Sequence, residues 1–194
     1  MILVSHRVNL TKELKKTEKH YGVEIDLRDN LKSVYVQHDP FKKGILFDEY
    51  LKHYKHKFLI CNIKSERIEF EVDKILKKHS IKNFFFLDSS FPMKITCIKK
   101  KIFNQSIRFS KYENLPKTNF FKKVKWIWLD TYDGFPDQKI LKFLKRKKKK
   151  ICLVSPELHN AKIHKRYVKT FLKNNHKFID MVCTKKKFFK NWSI

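Results

Sequence analysis

The side chains that could do chemistry in this chain lie at the ends of short apolar runs. His6 and Arg7 follow the first run, and Glu24 and Asp26 lie in the second. Because side chains two residues apart on a strand share a face, Glu24 and Asp26 point the same way and repel each other unless a cation lies between them. Carboxylate oxygens suit a hard divalent cation, so this pair predicts a site for Mg²⁺ or Ca²⁺.

Further polar residues complete this set. Asn62 and Lys64 form a second pair with the same spacing, and His38 follows an extended segment. His6 and His38 titrate near neutral pH and suit a general acid and a general base. Arg7 and Lys64 can hold an anionic oxygen, and the amide oxygen of Asn62 can ligate a metal. These residue types predict cleavage of a phosphodiester, in which a cation neutralises the phosphate and the histidines move protons.

Three more carboxylates follow later apolar runs. We expect Glu157 to reach the metal or a substrate hydroxyl, and Asp88 and Asp130 to act as hydrogen-bonding partners near the site. The other histidines fall on helical or loop stretches and are expected to be solvated: His20, His53, His56, His79, His159, His164 and His176.

The elements that must position these residues repeat along the chain. Eight short apolar runs predict strands at Ile2–Ser5, Val23–Leu27, Phe58–Ile63, Phe84–Leu87, Ile107–Phe109, Trp126–Leu129, Ile151–Val154 and Ile179–Cys183. Lys-rich stretches with helical periodicity lie between most of them, at Thr11–His20, Phe47–His53, Ile68–His79, Gln138–Lys147 and Ile163–Asn174. The segment Ser33–Gln37 is an additional extended piece before His38.

Buried strands that alternate with amphipathic helices predict an α/β fold, a small (β/α)₈ TIM barrel. A doubly wound open sheet is the alternative, but no GxGxxG motif follows the first strand. The length of 194 residues fits a single domain, 1–194. We expect the lysines of Lys145–Lys150 to form the solvated end of a helix.

The chain carries a formal net charge of +27, from 46 Lys and Arg against 19 Asp and Glu. Such a charge is typical of proteins that bind nucleic acid or another anionic surface. However, there are 40 Lys, only 6 Arg and only 3 Gly, a composition that also follows from a genome rich in A and T. Because phosphate and base contacts favour the planar fork of Arg, nucleic acid is not the expected partner.

The remaining composition bounds the protein class. Hydrophobic residues make up 42% of the chain, which is enough for a core. No apolar run approaches the length of a transmembrane helix, and no signal peptide is visible at the start. Cys61, Cys97, Cys152 and Cys183 have no CxxC spacing and are expected to be buried free thiols. We therefore expect a cytoplasmic protein.

Three segments in order resemble the pattern of the glycerophosphodiester phosphodiesterases: Ser5-His6-Arg7, Val23-Glu24-Ile25-Asp26-Leu27 and Gln37-His38-Asp39. This family belongs to the phospholipase-C-like phosphodiesterases, which are TIM barrels of lipid metabolism. The resemblance implies that His6 and His38 are the catalytic acid–base pair. It also implies that Arg7 contacts the phosphate and that Glu24 and Asp26 ligate a divalent cation.

The sequence departs from the family pattern at specific positions. Lys64 matches a family lysine near the phosphate, but Asn62 stands where the family has a third carboxylate. Val8 replaces a glycine, and Asn9-Leu10-Thr11-Lys12 replaces Pro-Glu-Asn-Thr. The leading hypothesis is an enzyme that hydrolyses a small glycerophosphodiester or a similar polar phosphodiester. The alternatives are a degenerate barrel that binds a sugar phosphate or lipid phosphate without turnover, and a basic protein that binds nucleic acid or an anionic surface.

Overall fold

A computed structural model describes residues 1–30, 33–117 and 119–193. Its strands are β1 (Ile2–Ser5), β2 (Gly22–Asp29), β3 (Val34–Val36), β4 (Ile45–Leu46), β5 (Phe58–Ile63), β6 (Phe84–Leu87), β7 (Ser106–Ser110), β8 (Trp126–Asp130), β9 (Lys150–Val154) and β10 (Met181–Thr184). Its α-helices are α1 (Thr11–Lys16), α2 (Phe47–Leu51), α3 (Glu69–Lys78), α4 (Phe91–Lys99), α5 (Asn119–Lys123), α6 (Gln138–Arg146), α7 (Lys165–Asn175) and α8 (Phe189–Trp192).

All eight predicted apolar runs form strands, and all five predicted helical stretches contain a helix. The additional extended piece is β3, which pairs antiparallel with β2 and, across the loop of residues 37–44, with β4. Helices α4, α5 and α8 were not predicted. The start of α4 is marked in the sequence by a helix cap and not by hydrophobic periodicity. Ser90 accepts a hydrogen bond from the N–H of Met93, and proline occupies the first turn.

The chain divides into two compact units, Arg7–Gln105 and a second made of Met1–His6 with Ser106–Ile194. In Arg7–Gln105, β2 pairs parallel with β5, and β5 pairs parallel with β6. In the other unit, β1, β10, β9, β8 and β7 are neighbours in that order and all run parallel. The prediction of a single domain stays a prediction.

The alternation along β2 separates its apolar side chains from its carboxylates. Val23, Ile25 and Leu27 are fully buried in the hydrophobic core of Arg7–Gln105. Leu59 and Cys61 of β5 belong to the same core. Because each buried aliphatic side chain contributes about 1.5–3 kcal/mol, this core fixes which face of β2 its other residues occupy.

One prediction about the lysine run is wrong. Helix α6 ends at Arg146 and β9 begins at Lys150, but Lys149 between them is buried rather than solvated. Its ammonium group donates hydrogen bonds to the backbone oxygens of Phe121 and of Val124. Burial lowers the pKa of Lys149. The two carbonyl groups replace the water that this charge has lost.

The four cysteines are buried and form no disulfide, as predicted. Among the residues that the structure describes, no helix has the length and apolar character needed to span a bilayer. The cytoplasmic location stays a prediction.

Candidate active site

Strand β2 places two carboxylates on one buried face. Glu24 and Asp26 are both 0% exposed. Asn62 of β5 lies beside Asp26 in the parallel register. Lys64 follows β5 and donates its backbone N–H to the oxygen of Leu27 at 2.9 Å. Within Arg7–Gln105 the fold therefore brings together both residue pairs that the strand-end spacing singled out.

Glu24 is held by two hydrogen-bond donors. The backbone N–H of Arg7 donates to its Oε2 at 2.7 Å, and the amide nitrogen of Asn62 donates to its Oε1 at 3.0 Å. Burial, and then the adjacent charge of Asp26, raises the pKa of Glu24 to about 7. A positive ion beside this carboxylate would favour its charged form.

Asp26 is oriented by Asn9, which lies in the segment where the sequence departs from the family pattern. The amide nitrogen of Asn9 donates to Oδ2 of Asp26 at 2.8 Å, and the N–H of Asp26 donates back to Oδ1 of Asn9 at 2.9 Å. Two cations flank the same carboxylate. Arg7 Nε lies 3.8 Å from Oδ2, and Lys64 Nζ lies 3.7 Å from Oδ1.

The turn after β1 has an unusual backbone. Arg7 has a left-handed φ of 55°, a conformation that costs a residue with a side chain about 1–2 kcal/mol. The hydroxyl of Tyr50 donates to the oxygen of Val8 at 2.6 Å, and the N–H of Val8 donates to the oxygen of Glu24 at 2.8 Å. Val8 packs into the core in place of the family's glycine. These contacts fix the turn that points the Arg7 N–H at Glu24.

His38 is held between a donor and an acceptor. The guanidinium Nη2 of Arg7 lies 2.6 Å from Nε2 of His38, and Oδ1 of Asp39 lies 2.7 Å from its Nδ1. Because a guanidinium can only donate and an ionised carboxylate can only accept, Nε2 carries the lone pair and Nδ1 carries the proton. The hydrogen bond from Lys42, and then that from His38, lowers the pKa of Asp39 to about 2. The ring nitrogen of His38 that can accept a proton is therefore Nε2, which faces Arg7.

Arg28 is a residue of this cluster that the sequence reasoning missed. Its Nε donates to the backbone oxygen of His38 at 2.8 Å, and its Nη1 donates to the backbone oxygen of Lys64 at 2.9 Å. One guanidinium thus ties together the two loops that carry these side chains. The spacing in the sequence could have identified Arg28, since it lies two residues after Asp26 on β2 and therefore on the same face as Glu24 and Asp26.

Asp88 also belongs to this cluster. It follows β6 with a left-handed φ of 59°, and its Oδ2 lies 3.9 Å from Nζ of Lys64. Lys64 is therefore placed between the carboxylates of Asp26 and Asp88. Both distances exceed that of a hydrogen bond, so these contacts leave the N–H groups of Lys64 able to donate to a ligand.

Three predicted site residues lie in the other unit. His6 follows β1, and its backbone N–H donates to the oxygen of Thr184 at 2.9 Å. Glu157 is buried after β9, and its Oε1 accepts a hydrogen bond from the indole nitrogen of Trp192 at 3.2 Å.

Asp130 at the end of β8 is buried, and each of its carboxylate oxygens contacts a side-chain nitrogen. Arg108 Nη1 lies 3.1 Å from its Oδ2, and Nε2 of His159 lies 2.8 Å from its Oδ1. Two side chains therefore hold the carboxylate of Asp130, and its expected role near the candidate site stays a prediction. His159 was expected to be solvated, but it packs against this carboxylate and against the ring of Tyr132.

A divalent cation was expected at this site, and the donor atoms there are of the type that such a cation prefers. Oδ1 of Asp26 and Oδ1 of Asn62 are buried and accept no hydrogen bond, and Glu24 adds a second carboxylate on the same face. Mg²⁺ and Ca²⁺ prefer such oxygen ligands. Across residues 1–30, 33–117 and 119–193, no group of three or more His, Cys, Asp or Glu side chains is placed to hold a metal ion. The amide oxygen of Asn62 is the neutral donor that lies beside the two carboxylates.

The sequence matches no protein-family model and no curated protein. The structure is similar to a crystal structure of a glycerophosphodiester phosphodiesterase from Agrobacterium tumefaciens str. C58, with a TM-score of 0.73 and 13% identity over 97% of each chain. A glycerophosphodiester phosphodiesterase from Parabacteroides distasonis ATCC 8503 gives a TM-score of 0.65 and 13% identity, over 94% of this chain and 92% of that one. A glycerophosphoryl diester phosphodiesterase from the same organism gives 0.64 and 9%, over 93% and 81%.

These similarities extend over nearly the whole chain. At such low sequence identity they establish the fold but not the activity. They agree with the strand and helix order described above and with the fold class expected from the sequence, an α/β fold of the TIM-barrel type. The chain has the fold of the glycerophosphodiester phosphodiesterases.

Proposed function

We propose that this protein is a phosphodiester hydrolase that cleaves a glycerophosphodiester or a similar small, polar phosphodiester. One observation carries the proposal. The His38 ring is fixed by Asp39 at Nδ1 and meets the Arg7 guanidinium at Nε2, 2.6 Å away. A proton acceptor therefore lies directly beside a group that binds phosphate oxygens.

Arg7 and Lys64 are the proposed phosphate-binding residues. Both lie near Asp26, at 3.8 Å and 3.7 Å, without a hydrogen bond to it. Their charges are thus held beside a buried carboxylate. The N–H groups of Lys64, and those of Arg7 that do not face His38, can donate to the negative oxygens that develop during cleavage.

Glu24, Asp26 and the amide oxygen of Asn62 are the proposed ligands of a divalent cation, Mg²⁺ or Ca²⁺. When bound, such a cation would neutralise phosphate charge. The backbone N–H of Arg7 and the side chain of Asn9 keep the two carboxylates in place, so the chain orients these oxygens independently of the ion.

The two histidines are the proposed proton-transfer groups. Nε2 of His38 accepts the proton of the attacking hydroxyl as its oxygen bonds to phosphorus, and Asp39 stabilises the imidazolium that forms. The phosphorus–oxygen bond to the alcohol breaks, and His6, the residue before Arg7, donates a proton to the departing oxygen. With water as the attacking hydroxyl, one water is consumed and a phosphomonoester and an alcohol are released.

The test is release of the alcohol or of glycerol phosphate from a panel of glycerophosphodiesters with Mg²⁺ or Ca²⁺ present. We expect His6→Ala and His38→Ala each to lower kcat/KM by about 10²–10⁴-fold. His53→Ala, which changes an exposed histidine on a loop, is the matched control and should be neutral. No turnover with either cation, or full activity of His6→Ala, would exclude this function.

A second candidate function is favoured by Asn62. Its amide hydrogen bond to Glu24 supplies a neutral donor where the resemblance implies a third carboxylate, so the site would hold a cation less strongly. On this reading the protein binds a sugar phosphate or lipid phosphate without turnover. Saturable binding of glycerol phosphate that needs Arg7 and Lys64, is insensitive to His38→Ala and occurs without hydrolysis of any diester would favour this candidate over the enzyme.

A further inference from the structure

The loop that joins β3 to β4 presents an apolar side chain to solvent. Phe41 is 103% exposed, the highest value among the large hydrophobic side chains in the described part of the chain. Its φ of 60° is left-handed, a conformation that is strained for a residue with a side chain. The fold therefore holds Phe41 in a strained conformation and buries none of it in return.

The loop is tightly built. The side-chain amide of Gln37 donates to the backbone oxygen of Lys43 at 3.0 Å. Gly44 packs so closely that a Cβ atom there would lie 2.3 Å from the oxygen of Val36. Nζ of Lys42 donates to Asp39 at 2.7 Å. These contacts across the hairpin fix the direction in which Phe41 points.

The surroundings of Phe41 combine apolar and basic groups. A cavity of about 630 Å³ lies beside the loop, and its wall includes Tyr35, Pro40, Leu46, Lys42 and Lys43. Leu46 is half-exposed, and Lys43 is exposed. An apolar tip flanked by lysines is complementary to a surface that is apolar inside and negatively charged outside, which is the chemistry of an anionic lipid bilayer.

We propose that the β3–β4 loop is a docking element for an anionic lipid surface, with Phe41 inserted among the acyl chains and Lys43 facing the head groups. A lysine near such a surface is attracted to the anionic head groups, and insertion of a phenylalanine removes its apolar area from water. The formal net charge of +27 attracts the whole molecule to the same surface.

Docking at this point has a consequence for the candidate site. Only Asp39 and Pro40 separate Phe41 from His38 in the sequence, so the docked loop carries His38 to the lipid surface. This consequence rests on the proposed function, whereas the docking does not. Vesicle binding measured without substrate therefore tests the docking separately from any activity.

The experiment is sedimentation of the full chain with vesicles of phosphatidylcholine alone or with added phosphatidylglycerol. We expect binding to the anionic vesicles only. Phe41→Ser should weaken that binding by about tenfold or more, and Lys43→Glu by about fivefold or more. Phe103→Ser and Lys82→Glu change exposed residues of the same kinds outside this loop and should bind like the parent. Thermal unfolding checks that all four variants are folded.

Two results would overturn the proposal. The first is anionic vesicle binding by Phe41→Ser and Lys43→Glu that equals that of the two control variants, because the attraction then comes from the net charge alone. The second is an effect of Phe41→Ser on binding to single-stranded oligouridine and none on binding to vesicles, because Phe41 then stacks on bases.

Discussion

The amide nitrogen of Asn62 lies 3.0 Å from Oε1 of Glu24 and donates a hydrogen bond to it. This bond joins β5 to β2 across the buried face where the candidate cation ligands lie. It also leaves Oδ1 of Asn62 without a hydrogen-bond donor. Replacement of Asn62 by Asp therefore changes the charge of the candidate ligand set while nearly keeping the shape of the side chain.

Asn62→Asp should strengthen cation binding. A third carboxylate raises the negative charge of the ligand set, and affinity for Mg²⁺ or Ca²⁺ should rise by about tenfold or more. Without a cation the variant should be less stable than the parent, since Glu24 loses a donor and gains a like charge. Thermal unfolding with and without each cation measures both effects. An equal cation-induced rise in Tm for parent and variant would contradict a cation site at Asn62.

Arg28→Lys should lower turnover while leaving the protein folded. A lysine keeps the charge but cannot donate in the fixed fork that joins the oxygens of His38 and Lys64. We expect kcat to fall by about tenfold, because a small misplacement of His38 affects the proton transfer, with KM changed much less. Arg146→Lys, on the exposed end of α6, is the control. Parental kcat in Arg28→Lys would show that the two hydrogen bonds do not position His38.

Glu69→Gln should stabilise the protein more at high pH than at low pH. Glu69 is buried at the start of α3, and this burial raises its pKa from the usual value of 4.5. A carboxyl group whose pKa is raised in the folded state contributes its full stabilisation of the fold below the unfolded-state pKa. That contribution is lost as the pH rises through the folded-state pKa. Gln does not ionise and has no such loss. The free energy of unfolding of the variant should therefore exceed that of the parent by about 1 kcal/mol at pH 8. Urea unfolding at pH 4 and pH 8 measures it. A constant difference between parent and variant would refute the effect.

Lys149→Met should destabilise the protein by about 2 kcal/mol. Methionine fills a similar volume, but the backbone oxygens of Phe121 and Val124 lose their donor inside the fold. Removal of a buried charge works in the opposite direction, and the two lost charge-assisted bonds are expected to outweigh it. Urea unfolding gives the difference directly. Lys142→Met, at an exposed position of α6, should be neutral, and the same neutrality at Lys149 would show that the buried charge costs as much as its bonds contribute.

The sequence predicts most of the scaffold because strand burial has a simple period. Val23, Ile25 and Leu27 alternate with Glu24 and Asp26, and that alternation gives both the strand and the face that bears the carboxylates. The histidine and carboxylate positions follow from the strand ends, since parallel strands end at one edge of their sheet.

Other features depend on contacts between distant segments and leave little trace in local pattern. Arg28 is an ordinary basic residue in the sequence, and only the fold brings it to the carbonyls of His38 and Lys64, 10 and 36 residues away. Lys149 belongs to a run of lysines from which nothing local separates it. Strand β4 has only two residues and exists because it pairs with β3.

The left-handed φ of Arg7 is one of several at non-glycine residues, and the low glycine content of the chain accounts for them. Among the residues that the structure describes, nine non-glycine residues have left-handed φ and no glycine does, in a sequence with only three glycines. Glycine codons are rich in G, so a nucleotide bias toward A and T removes the residue that fits such turns best. The chain accepts about 1–2 kcal/mol of backbone strain at positions such as Arg7 and Phe41 instead, whereas Asp88 and Asn160 adopt this conformation more easily. In exchange each turn carries a side chain, and at Arg7 that side chain is a guanidinium directed at His38.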